Sequence, residues 1–386
     1  MPPAATGPTI LQVLPRLETG GVERGTVDIA RAIVEAGGRA LVASAGGGLV
    51  RELERCGAEH VTLPVHSKQP WTVYRNVARL AELVRSEDVH LVHARSRAPA
   101  WSACYAARQT GRPFLTTFHG TYSGKSALKR AYNAVMIRGE LVIAISEFIG
   151  LHVMEFYGVP RERVRVIHRG VDLDLFDPDA VSAERIIQLA TAWRIPDDMP
   201  VIMLPGRLTR WKGQTVVIEA IEKLGRRDVR CLLIGPDQGR VRYRGELEDM
   251  IRGRGLEDIV HIIDDCRDIP AAMMLADVVI SASTDPEAFG RVVAEAQAMG
   301  RPVIATDHGG AREVVIAGET GWLTPPADPA ALANALDRVL QLDSDGREQL
   351  ARRAIAHVRA KFSREQMCAR TLSVYDEVLA RHAETA

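Results

Sequence analysis

Short apolar runs rich in Val, Ile, Leu and Ala alternate along the chain with longer stretches in which apolar residues recur every three or four positions. The runs Thr9–Leu14, Arg39–Ala43, His60–Leu63, Val89–His93, Phe114–Phe118, Leu141–Ile145 and Val164–Ile167 have the length and β-branched content of buried strands. Helical spacing fills the gaps, as at Val22–Ala36 and Val73–Arg85. Strands and helices taking turns in this way predict an α/β fold with a doubly wound, mostly parallel sheet. The rhythm breaks between Asp172 and Pro200, where Asp-Leu-Phe-Asp-Pro178 and Pro-Asp-Asp-Met-Pro200 enclose a helix-like piece, so this stretch is expected to connect two domains. Alternation resumes with Val201–Leu204, Val229–Ile234, Val260–Ile263, Val278–Ser281, Val303–Thr306 and the short Trp322–Leu323. Three helical stretches close the chain: Pro329–Leu342, Arg347–Lys361 and Arg364–Ala380. The expected boundary falls after residue 175, with 176–363 forming the second domain. Ligands of such sheets bind outside the carboxyl ends of the strands, so both sheets are expected to aim their loops into one cleft.

Composition narrows the class. A chain of 386 residues, 46% hydrophobic and 25% charged, suits two soluble domains with real cores. With 49 basic and 49 acidic side chains the formal net charge is +0, which argues against a general nucleic-acid binder. Cys56, Cys104, Cys231, Cys266 and Cys368 lie far apart, so neither a disulfide framework nor a zinc site is implied. Met1–Pro8 has no basic stretch followed by an apolar one, so no secretory signal is expected. No run of 18 apolar residues suggests a membrane span, and the expected location is the cytoplasm.

Candidate chemistry concentrates at predicted strand ends. Pro286-Glu-Ala-Phe-Gly-Arg-Val-Val-Ala-Glu295 holds two carboxylates, with apolar residues at Val292, Val293, Ala296 and Met299 marking a helix. Gly290 is placed at the start of that helix, where its amide can face an anion. Glu287 lies on the loop before the helix and Glu295 on the helix itself, so they can meet opposite ends of a ligand. Leu204-Pro-Gly-Arg-Leu-Thr-Arg-Trp-Lys-Gly213 carries Arg207 and Lys212 after a strand, a pair of cations suited to a diphosphate or, taken alone, to an exposed basic loop. Gly20-Gly21 after the first strand lets backbone approach a ligand, or only makes a tight turn. His119 ends another strand and points out of its carboxyl edge. Lys125, Lys129, Arg130 and Arg138 interleave with Tyr122, Leu128, Tyr132, Val135, Met136 and Ile137. That pattern suits a basic amphipathic helix in peripheral contact with anionic inner-membrane lipid, or a solvated helix packed on its own sheet.

Together these segments resemble the family 4 retaining glycosyltransferases, which have the GT-B fold. Glu287-Ala-Phe-Gly…Glu295 followed by Gly-Arg-Pro-Val-Ile-Ala-Thr306 is the specific part. Gly-Gly-Val-Glu23, His119-Gly120, Gly-Val-Asp172, Gly-Arg-Leu…Lys-Gly213 and Gly-Gly-Ala-Arg-Glu-Val314 follow the family's usual order. The resemblance implies two Rossmann-like domains facing a central cleft, with the last helix, residues 364–386, returning to the first. It implies that Arg207 and Lys212 hold the diphosphate of a UDP- or GDP-linked sugar. By the same resemblance Glu295 binds the ribose, Glu287 faces the transferred sugar, and the amides of Phe289 and Gly290 approach sugar and phosphate. Gly21 lies over the diphosphate, and His119 sits beside the sugar near the reacting centre. No metal or cofactor is implied, because the site supplies cations to the leaving diphosphate. Asp172 and Asp174 form Asp-x-Asp only in the connecting stretch. Retention is expected from front-side attack, with neither glutamate acting as in a glycosidase.

Some positions depart from the family pattern. Trp211 stands where an acid commonly precedes the lysine, Asp264 where a glycine often follows the strand, and His168-Arg169 where Pro-Asn is usual. Arg291 replaces an aliphatic residue and adds a phosphate contact. The expected acceptor is a glycan or lipid-linked hydroxyl of the cell envelope, in lipopolysaccharide or polysaccharide synthesis, with Ser96–Arg97 and Thr121–Arg130 as acceptor loops. Two other readings use the same residues: a nucleotide-sugar epimerase, which needs no acceptor, and a non-catalytic nucleotide-sugar-binding subunit.

Overall fold

Most of the strands form where mostly apolar runs are bounded by turns. In the computed structural model, which describes residues 7–18, 20–122, 126–264 and 266–385, they assemble into two parallel sheets. The chain divides into one unit of residues 1–170 with 364–386 and a second of residues 171–363.

The first unit contains β1 (Thr9–Val13), β2 (Arg39–Ser44), β3 (Glu59–Thr62), β4 (Leu91–Ala94), β5 (Phe114–Phe118), β6 (Leu141–Ala144) and β7 (Val164–Val166). Their spatial order is β3-β2-β1-β4-β5-β6-β7, every pairing parallel. Order reverses between β1 and β4, which opens a crevice at their carboxyl ends. β1, β4, β5 and β6 are buried along their whole length, so they read as mostly apolar runs rather than alternating ones, with Gln12, His93, Thr116 and Thr117 as buried polar exceptions.

The final helix, Arg364–Thr385, belongs to this unit. A buried polar chain fastens it. The Tyr375 hydroxyl meets His93 Nδ1 at 2.8 Å, and His93 Nε2 meets the Thr117 hydroxyl at 2.7 Å. His93 lies on β4 and Thr117 on β5, so the helix is tied into the middle of the sheet. Tyr375→Phe keeps the ring but strands His93 Nδ1 in an apolar core, and should cost about 1–3 kcal/mol in urea unfolding. An unshifted midpoint would mean that the bond contributes nothing.

The second unit holds β8 (Val201–Pro205), β9 (Arg230–Ile234), β10 (Val260–Ile263), β11 (Val278–Ser281), β12 (Val303–Thr306) and β13 (Trp322–Thr324). The order is β10-β9-β8-β11-β12-β13, again all parallel, with the reversal between β8 and β11. Both sheets are thus doubly wound, as the alternation predicts.

The stretch from Asp172 to Pro200 is not a connector, as its broken rhythm suggested, but part of the second unit. Ser182 caps the helix Ala183–Ala192, which packs on the helix Ile269–Leu275. There Arg185 donates to both carboxylate oxygens of Asp268, at 2.8 and 2.7 Å. Asp172 Oδ1 accepts the amides of Asp174 and Leu175, an Asx-type turn. The boundary moves to 170/171 because the Val171 amide donates to the Phe362 carbonyl at 2.8 Å, which holds the unit's first and last residues side by side.

The basic stretch forms a short helix within its own unit, one of the two readings its spacing allowed. Lys125 lies outside the described residues. Beyond it an α-helix runs only over Ala127–Asn133, followed by a 3-10 turn at Ala134–Ile137. Arg130 lies over the Phe156 ring and donates to its carbonyl, and Arg138 lies over Trp101. Val135 and Met136 enter the core while Leu128 is 83% exposed, so no continuous apolar face forms. Among the described residues no helix is long and apolar enough to cross a membrane.

Candidate active site

In the second unit the site grows from the two strands that flank the reversal. β8 ends at Pro205, and buried Leu208 anchors the loop that carries Arg207. A 3-10 turn, Arg210–Lys212, then brings the chain to Gly213 and the helix Gln214–Leu224. Gly213 has φ +75, and a Cβ there would lie 1.9 Å from the Ala282 carbonyl oxygen. Only glycine lets the lysine loop rest on the residue that follows β11.

That approach joins two residues 75 positions apart. Lys212 Nζ sits 2.7 Å from Glu287 Oε1, both side chains largely buried. The hydroxyls of Ser281 and Ser283 donate to the same oxygen. Burial pushes the Glu287 carboxyl up, but the Lys212 charge, its hydrogen bond and the serine hydroxyls together hold it below the usual range. Lys212 also lies 4.6 Å from the centroid of the Trp211 ring, so the aromatic that replaces an acid faces the ammonium with its π cloud. The sequence assigns Lys212 to phosphate and Glu287 to sugar separately; the structure makes them one ion pair.

The acid loop is held from behind. His308 Nε2 meets the Ser283 carbonyl at 2.8 Å, and the Gly310 amide donates to the Glu287 carbonyl at 2.8 Å. A Cβ on Gly310 would come within 2.6 Å of Phe289 Cα. The Gly309-Gly310 pair after β12 is therefore the seat on which residues 287–289 rest. The sequence offered that motif only as a resemblance.

Phe289 is buried, its ring edge-on to Phe362 at 5.6 Å. Gly290, at φ +94, caps the helix Arg291–Ala298. Glu295 is buried on that helix and accepts from Arg291 Nε one turn earlier. Burial raises the Glu295 carboxyl above its ordinary value although Arg291 pulls the other way. Arg291 thus engages Glu295, where the sequence suggested a phosphate contact. Arg207 is exposed; its carbonyl accepts from Gln214 Nε2 at 3.0 Å, and among the described residues its guanidinium forms no ion pair. It lies on the loop after β8, and Glu295 on the helix after the neighbouring β11.

In the first unit Gly21 opens the helix Gly21–Glu35, and its carbonyl accepts from Arg169. His119 follows β5 directly, and its Nδ1 lies 3.1 Å from Arg169 Nη2. His119 Nε2 is sealed and has no partner among the described residues. Burial, then Arg169, Arg95 and His93, hold the imidazole well below its ordinary pKa, so it is neutral. With Arg95, Thr117, Arg169 and Thr371 it lines a cavity of about 20 Å³, room for roughly one water. Arg95, at the end of β4, is 3% exposed and was missed by sequence reasoning. A cation just past a strand end, in His93-Ala-Arg-Ser-Arg97, reads as a loop residue until the strand order is known.

The chain matches two family models, Glycosyltransferase Family 4 over residues 19–175 and Glycosyl transferases group 1 over residues 187–357. A glycosyltransferase from Rickettsia africae is 37% identical, with a TM-score of 0.90 over 97% of this chain and 99% of that one. The Anabaena protein HepE, solved with UDP-glucose, is 27% identical, with a TM-score of 0.83 over 96% of this chain and 99% of that one. D-inositol 3-phosphate glycosyltransferase of Xylanimonas cellulosilytica is 32% identical over 324 residues, 78% of this chain and 75% of that protein.

Proposed function

We propose, since the chain belongs to glycosyltransferase family 4 and has the GT-B type of fold, that it moves a sugar from a UDP- or GDP-linked donor to a hydroxyl acceptor with retention at the anomeric carbon. The observation that carries this reading is the Lys212–Glu287 pair at the reversal point of the second sheet, beside the Gly290-capped helix. As the sugar departs, charge gathers on the nucleoside diphosphate. Arg207, Lys212 and the amides at Phe289 and Gly290 are fixed donors that stabilise it without an added metal. Glu287, held ionised, orients Lys212 and accepts from sugar hydroxyls. Glu295 takes the ribose hydroxyls when Arg291 turns to the phosphate. Gly21 lies along the diphosphate, and His119 sits beside the sugar near the reacting centre. The similarity to HepE, solved with UDP-glucose, supports a nucleotide-sugar donor. The acceptor is proposed to be a cell-envelope glycan or lipid-linked glycan, and the enzyme to work in the cytoplasm.

A thermal-shift screen with UDP-, GDP- and ADP-sugars tests the donor. One series should raise Tm by several degrees, since a ligand at 100 times its Kd stabilises by about 2.7 kcal/mol. Glu295→Ala should weaken that donor without abolishing turnover at saturation. No shift with any of the three, or an unaltered donor Kd in the variant, would defeat the assignment. Epimerised donor formed with no acceptor present would favour an epimerase.

A further inference from the structure

Arg95 places a positive charge inside the first unit. It follows β4, its amide donates to the Val13 carbonyl at 2.9 Å, and the residue is 3% exposed. Among the described residues its guanidinium forms no ion pair and no hydrogen bond, and its Nε is shut off from solvent. An arginine keeps its charge, and a buried charge without a partner is among the costliest arrangements in a folded chain. Asp28 and Glu23 are the carboxylates that act on it, both through space only.

A second donor lies on the same cavity. Arg169 Nη2 stands 3.1 Å from His119 Nδ1, and arginine only donates, so Nδ1 accepts and the neutral ring carries its hydrogen on Nε2. That Nε2 is buried and has no partner among the described residues. The cavity of about 20 Å³ that Arg95, His119 and Arg169 line has no carboxylate in its wall. The two threonine hydroxyls there are engaged, Thr117 with His93 Nε2 at 2.7 Å and Thr371 with the Met367 carbonyl at 2.7 Å. The rest of the wall is isoleucine and methionine.

Size and charge decide what fits. The space holds one body about the size of a water and excludes a sugar or a phosphate group. A water accepts from both donors but must then place two hydrogens of its own against cations, engaged hydroxyls and hydrocarbon. A halide brings no hydrogens, accepts from each donor that faces it, and supplies the negative charge that Arg95 lacks in contact. Gly25, on the helix Gly21–Glu35, leaves room for both cations: a Cβ there would lie 3.3 Å from Arg95 Nη2 and 3.1 Å from Arg169 Nη1.

We propose that this cavity is a binding site for one chloride-sized anion, held by Arg95 and the Nε2–H of His119. The site joins the end of β4, the residue after β5 and, through Met367 and Thr371, the final helix, so the anion stabilises the first unit. It is independent of the nucleotide-sugar reading.

Thermal unfolding of the full chain tests this, with chloride replacing gluconate at constant ionic strength. Chloride should raise Tm by several degrees along a saturating curve, as a ligand that binds only the folded chain does. Bromide should act alike. Fluoride, which is more strongly hydrated, and sulfate, too large for the space, should not. Arg95→Met keeps an unbranched side chain, removes the charge and should lose the chloride dependence. In wild-type crystals grown with bromide, the anomalous signal should place one ion within hydrogen-bond reach of Arg95 Nε and His119 Nε2. A Tm that rises equally with all four salts is screening or exclusion from the surface and overturns the proposal. So does bromide found only on the surface, with a water in the cavity. The crystals need no variant, so they decide even where Arg95→Met fails to fold.

Discussion

Lys212→Ala should cut sugar transfer by about 10²–10³, the usual loss when one preorganised donor to a developing oxyanion is removed. It should also destabilise the second unit by about 3–5 kcal/mol, because it leaves Glu287 buried without its cation. The two losses have different pH signatures. In the wild type the folded-state pKa of Glu287 is depressed, so the pair's stabilisation is present above the unfolded carboxylate value, about 4.3, and is lost as pH falls through the folded pKa. Without Lys212, burial becomes the leading influence and pushes the carboxyl up. The variant's stability is then best in acid and falls as pH rises. Urea unfolding at pH 5 and pH 8 should therefore show a gap between wild type and variant that widens with pH. A gap that is constant or narrows would mean that Glu287 is not the group left unpaired.

A double replacement separates fold from chemistry. Lys212→Met with Glu287→Gln removes both charges and fills the space, so most of the stability should return. Turnover should stay low, since neither the cation for the diphosphate nor the anion that orients it is present. Recovered turnover in this variant would take Lys212 and Glu287 out of the reaction.

Why the sequence reached so far into this molecule, and where it stopped, is visible in these residues. Strands β1, β5 and β11 are legible because a parallel strand covered on both faces is mostly apolar, and Gly or Pro follows soon after it ends. Gly290 at a helix start and His119 after a strand follow from the same local rules. The stretch 172–200 was misjudged because a broken rhythm says only that regular strands are missing; the Arg185–Asp268 bond that binds it to the second unit spans 83 positions. The Lys212–Glu287 pair and the burial of Arg95 are of the same kind. They depend on which strands become neighbours, and periodicity carries no information about that. The basic stretch near Arg130 left two readings open for a related reason: that its cations meet aromatic rings elsewhere in the unit is a tertiary outcome which amphipathic spacing does not carry.

Gly213→Ala should be among the most damaging single-methyl changes in the chain. The added carbon would sit 1.9 Å from the Ala282 carbonyl oxygen and 2.8 Å from its carbonyl carbon, and both are backbone, so no side-chain rotation relieves the clash. Gly225 provides the control. It has φ +68 at the other end of the same helix, with open space where its Cβ would go. Gly225→Ala should therefore cost only the left-handed backbone penalty, about 1–2 kcal/mol. Gly213→Ala bears that same penalty plus displacement of the segment after β11, so it should lose at least about 3 kcal/mol or fail to fold the second unit. Because Ala282 lies between Ser281 and Ser283, just before Glu287, a surviving fraction should also have lost the Lys212 contact and bind donor poorly. Equal urea midpoints for the two variants would show that the lysine loop does not rest on β11, and the origin of the ion pair would have to be sought elsewhere.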